Sequence, residues 1–148
     1  MSSTIFTAPA YDPRREKRKK YIAAGIVVGL LVIAALVYEF RNWPEEHITS
    51  RFFTALVNKD YKAAYGIWQH DPAWETHPDK YPRYSFNDFY QDWGPGGEWG
   101  LIRTFHIDGS TRPSGGSGVI VQVTVNDRKE PARIWVEKSS KQLTFSPY

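Results

Sequence analysis

Tyr21 to Tyr38 reads YIAAGIVVGLLVIAALVY, 18 consecutive residues without a charge, and this run constrains the chain more than any other feature. At about 1.5 Å of rise per residue a helix of that length reaches roughly 27 Å, close to the hydrocarbon thickness of a bilayer. The charged stretch ahead of it is long for a cleaved signal peptide, and no small-x-small site precedes a polar mature start, so an uncleaved anchor is expected. Arg14, Arg15, Lys17, Arg18, Lys19 and Lys20 lie just before the run, whereas Glu39, Arg41, Glu45 and Glu46 follow it. The positive-inside bias then predicts a cytoplasmic N-terminus and a C-terminal domain on the periplasmic or extracellular side. The expected organisation is a basic tail over 1–20, a transmembrane helix over 21–40 and an exported domain over 41–148.

Within the run, Gly25 and Gly29 form a GxxxG pair, which allows two membrane helices to approach closely. Tyr21 at one end, and Tyr38, Phe40 and Trp43 at the other, suit the headgroup level. The basic run is read as a topology signal that also attracts anionic membrane lipid.

A formal net charge of +3 over 148 residues is owed to the tail, which holds six basic side chains against Asp12 and Glu16; the rest is close to neutral. A nucleic-acid partner is therefore not expected. No cysteine is present, which excludes disulfide scaffolds, thiolate metal sites and cysteine nucleophiles.

Beyond the anchor, Pro44 suits a first helical turn, and Ile48, Phe52, Phe53 and Leu56 repeat at helical spacing. Asp60 can cap a second helix carrying Tyr61, Ala64, Tyr65 and Trp68. Ser85 and Asp88 predict a capping box before a third, with Phe86, Phe89, Tyr90 and Trp93 on one face. Strands are expected over Leu101–Asp108, Val119–Asn126, Ala132–Lys138 and Gln142–Phe145, with a turn-rich stretch over 109–118. Helices first and meandering strands afterwards predict an α+β fold, its helices on one face of the sheet.

The segments FFTALVNKDYKAAYGIW (Phe52 to Trp68) and YSFNDFYQDWG (Tyr84 to Gly94), followed by glycine-bounded strands, resemble the NTF2-like or cystatin-like superfamily over about residues 45–148. The resemblance implies a cone of about three helices packed on a curved antiparallel sheet of about four strands. It does not choose a function, since members include enzymes, ligand pockets, dimerisation modules and membrane-anchored exported domains.

Chemistry is sparse. His70, Asp71, Glu75, His77 and Asp79 cluster, but Pro72 and Pro78 break any helix that would align them, so a solvated loop is expected, with no metal and no cofactor. Resemblance to catalytic members of the superfamily directs attention to Tyr65, Asp88, Asp92, Arg103 and His106, yet each has a structural use, and Arg103 and His106 fall on opposite faces of a regular strand. No catalytic residue is assigned. His47 completes the histidines.

Aromatic residues carry the stronger signal: residues 41–148 hold all six tryptophans, six of nine tyrosines and six of eight phenylalanines. Trp74, Tyr81 and Tyr84 lie among prolines in DPAWETHPDKYPRY (Asp71 to Tyr84), and Trp99 lies beside a glycine-rich turn. These four are the candidate anchors for a protein partner, with a lid over the domain's own core as the competing reading. The chain is thus expected to be an anchored interaction module or accessory subunit of a membrane complex; the alternative is a tethered small-ligand-binding or enzymatic domain.

Overall fold

A computed structural model describes residues 13–148, which divide into two compact units between Arg41 and Asn42. Residues 1–12 of the expected basic tail lie outside the described residues.

In the first unit, helix α1 runs Pro13–Glu39 and has no buried residue. It is long and apolar enough to cross a membrane. A Cβ built at Gly25 or Gly29 meets nothing within 4 Å, so both glycines are open to close approach. The Arg41 guanidinium lies 4.0 Å from the centroid of the Tyr38 ring.

The second unit is α+β, with helices α2 (Trp43–Val57), α3 (Tyr61–Trp68) and α4 (Phe86–Trp93), then strands β1 (Phe105–Thr111), β2 (Gly118–Val125), β3 (Ala132–Glu137) and β4 (Leu143–Phe145). The strands form an open antiparallel meander in the order β1-β2-β3-β4. Helix starts follow the sequence signals: Pro44 occupies the first turn of α2, Asp60 accepts from the Ala63 N–H, and Ser85 and Asp88 form the reciprocal capping box of α4.

Helices α2 and α3 end in the same way. The N–H of Lys59 bonds Leu56 O and that of Asp60 bonds Ala55 O; His70 and Asp71 repeat the pattern on Ile67 O and Gly66 O. These are Schellman closures, in which the residue with positive φ is usually glycine. Here it is Lys59, at φ 59°, and His70, at φ 52°.

One face of the sheet is buried. Val119, Val121, Val123 and Val125 of β2, with Ile134 and Val136 of β3, pack against Phe52, Phe53 and Leu56 of α2 and against Phe89 and Trp93 of α4. Burying each such side chain is worth roughly 1.5–3 kcal/mol. The opposite face carries His106, Gln122, Thr124 and Arg133, with Trp135 lying over Gly118, where an added Cβ would come within 2.6 Å of the indole.

The first strand starts later than expected. Asn126 accepts from the N–H groups of Arg103 and Thr104 and donates to Leu101 O, so a side chain rather than a neighbouring strand satisfies this segment. β1 then extends to Thr111, into the stretch expected to turn, with a bulge at Asp108 between the pairs Ile107–Val123 and Gly109–Gln122.

A part-buried ion pair ties the start of α2 to the β3–β4 turn: Lys141 Nζ lies 2.8 Å from Glu45 Oε1, and the Glu45 side chain is almost fully buried while that of Lys141 reaches solvent. The second Glu45 oxygen and Asn42 Oδ1 are buried without a partner among the described residues.

Candidate functional site

The loop from Asp71 to Tyr84 is built around one carboxylate. Asp71 Oδ2 accepts from His77 Nε2 at 2.6 Å, from the Tyr81 hydroxyl at 2.7 Å and from Lys80 Nζ at 3.1 Å, while Oδ1 takes the Ala73 N–H. The His77 bond first, then the Tyr81 and Lys80 bonds, hold the Asp71 carboxyl well below the usual carboxylate range. Thr76 Oγ1 donates to Ala73 O and meets His77 Nδ1 at 2.9 Å, which extends the network. Together these bonds fold the loop back on itself and fix where its rings point.

They point inward. Trp74 is only 8% exposed, donates its indole N–H to Lys62 O, stacks on Phe86 and meets Tyr65 edge-on. The expectation that Trp74 is an exposed anchor is thereby corrected: Gly66 leaves room for the ring, since a Cβ there would stand 3.3 Å from Trp74 Cδ1, and burial of the indole outweighs its exposure. Tyr81 and Tyr84 are half-buried and packed against the core. Burial first, and then the carboxylate receiving the proton, raises the hydroxyl pKa of each: Asp71 for Tyr81 and Asp92 for Tyr84.

Trp99 has a different setting. It is half-buried beneath the Arg128 guanidinium, 5.2 Å from the ring centroid, and helps to line a cleft of about 280 Å3 with Trp93, Phe145 and Tyr148. Phe145 shares the inward parity of Leu143 and contacts Trp68, Tyr84 and Trp93, yet it remains 49% exposed because β4 is an edge strand. Tyr148 is 67% exposed. The sequence reading passed over both: a three-residue strand gives too short an alternation to distinguish a core position from an edge.

The five residues considered for catalysis are spent separately. Asp88 closes the α4 cap, Asp92 accepts the Tyr84 hydroxyl, and Arg103 lies before β1 with its N–H on Asn126. His106 is exposed on β1, and the buried Tyr65 donates its hydroxyl to Tyr84 O at 2.7 Å. No group of three His, Asp or Glu residues is arranged to hold a metal among the described residues.

The α2 and α3 surfaces enclose a second cleft, of about 380 Å3, with Ile48, Ile67 and Trp74 among its apolar walls and Arg51, Lys62 and His70 as its basic groups. Comparison with protein-family models, with curated proteins and with solved structures finds no match for this chain.

Proposed function

We propose that this chain is a single-pass membrane protein, N-terminus in the cytoplasm, whose exported NTF2-like domain docks a protein partner as an accessory subunit of a membrane complex. The orientation rests on the basic residues ahead of α1. The cone-like reading rests on the order of elements and on an aliphatic sheet face covered by the aromatic faces of the helices.

The observation that carries the docking role is the β4 edge. One side of this strand pairs with β3 and the other has no strand beside it among the described residues, while Phe145 and Tyr148 expose their rings next to the Trp99 cleft. An open edge offers main-chain hydrogen bonds to an extended peptide, and flanking aromatic residues supply the anchors that dominate interface energetics. Of the four anchor residues expected from sequence, Trp99 and the rim of Tyr84 belong to this surface, and Trp74 serves the core.

The test is mild detergent extraction of the full chain followed by native mass measurement. A stoichiometric protein partner, lost in a Trp99→Ala/Tyr148→Ala double variant that melts at the parent temperature, is the expected result. A bound small molecule with no protein partner would replace this reading with that of a tethered ligand-binding domain, for which the two clefts supply the volume.

A further inference from the structure

We infer that the cleft between α2 and α3 is a subsite for the headgroup of an anionic phospholipid, with Arg51 as its main contact. The inference rests on the membrane-anchored reading but not on the β4 edge. The cleft's apolar walls are Ile48, Ile67 and Trp74; Arg51 and Lys62 supply positive charge, and His70 adds an imidazole to the lining. A phosphodiester with its first glycerol and acyl carbons matches that pairing of charge and apolar wall, and a guanidinium can bind it in bidentate fashion.

Arg51 is exposed and makes no hydrogen bond or ion pair among the described residues. It stands between two depressions, for it also lines a neighbouring one of about 420 Å3 together with His47 and Ile67. Lys62 meets Glu75 at 2.6 Å, but both side chains are more than half exposed, and such a pair holds its cation weakly.

His70 supplies a separate observation. It occupies the left-handed position of the α3 closure, where glycine is favoured and a bulkier residue is strained. Lys59 holds the same position at the end of α2, so what sets His70 apart is its place in the lining of the cleft.

Chain connectivity limits how far the cleft can lie from the anchor. Trp43 follows Tyr38 by five residues, which cannot span more than roughly 17 Å, so its distance from the end of the apolar run is bounded. His47 stacks on Trp43 with ring centroids 5.0 Å apart, one turn along α2. Arg51 follows one further turn on, about 12 Å along the helix from Trp43, and its long side chain shortens the remaining reach.

The experiment uses the full chain in detergent with Lys17, Arg18, Lys19 and Lys20 all replaced by glutamine, so that the tail does not compete. Dioleoylphosphatidylglycerol, dioleoylphosphatidylcholine and inorganic phosphate are titrated and followed by native mass spectrometry. One phosphatidylglycerol should be retained and phosphatidylcholine should bind at least about tenfold more weakly. Arg51→Ala should weaken retention about fivefold, the effect of one basic residue near a membrane surface. His70→Gly should raise the melting temperature while weakening retention, a divergence that a purely structural histidine would not produce. Equal retention of the two lipids, unchanged retention in Arg51→Ala, or displacement by inorganic phosphate at the lipid's own concentration would each overturn the proposal. Carbonate extraction of the chain from membranes tests the anchor separately, so failure of the anchor and failure of the cleft are distinguishable.

Discussion

The loop over 71–84 and the edge formed by β4 and the residues after it are both rich in aromatic rings, yet the domain uses them in opposite ways. Every ring of the loop has a polar end with an internal partner: the Trp74 N–H has Lys62 O, the Tyr81 hydroxyl has Asp71 and the Tyr84 hydroxyl has Asp92. At the β4 edge, Phe145 has no polar end, and the edge position leaves half of its ring in solvent. Rigidity imposed by proline therefore does not make a ring an anchor. In the loop each ring's polar atom finds an internal partner, whereas at β4 the edge position alone leaves the ring in solvent.

Trp74→Ala is the strongest way to break this contrast. Loss of a buried indole that packs on Tyr65 and Phe86 should cost about 3–5 kcal/mol, read as a shift of the urea midpoint. A neutral effect would return the loop to the surface. Asp71→Asn comes next. Because the folded state depresses the Asp71 pKa, the stabilisation from its network is present above about pH 4 and lost as pH falls below that. The variant should melt below the parent at neutral pH and lose less on acidification.

Tyr84→Phe should cost about 1 kcal/mol through the lost bond to Asp92. The Tyr84 pKa is raised by burial, so its contribution is intact below about pH 10 and lost as pH rises further; the variant's melting temperature should fall less in alkali than the parent's. Tyr148→Ala should stay within about 0.5 kcal/mol of the parent, as expected for an exposed side chain. A large destabilisation there would mean that the edge is core after all.

Much of the architecture was legible because it is local. The spacing of Phe52, Phe53 and Leu56, the Asp60 cap, the Ser85–Asp88 box and the alternating valines of β2 each depend on residues a few positions apart. The start of β1 was not, because Asn126 sets it from 22–25 residues away. The site was read least well. Clustering of rings among prolines is visible in sequence, but the direction of the Trp74 ring depends on Gly66 and Lys62, which come from α3, and that of Tyr81 on a bond to Asp71 ten residues earlier. Nothing near Arg51 in sequence marks it as unpaired, since that property arises only when α3 packs beside α2.

The Glu45–Lys141 pair bears on the order in which the domain can be completed. The two residues are 96 positions apart, so at typical synthesis rates of about 5–20 residues per second the carboxylate precedes its counter-ion by roughly 5–20 seconds. Until then a carboxylate destined for the interior lacks its counter-ion, and an unpaired charge is costly to bury. The helices can form as they emerge, but the base of the domain cannot close around Glu45 until the last hairpin arrives. The β3–β4 turn, which carries Lys141, therefore supplies the counter-charge for Glu45 only after the three helices and β1 to β3 have been made.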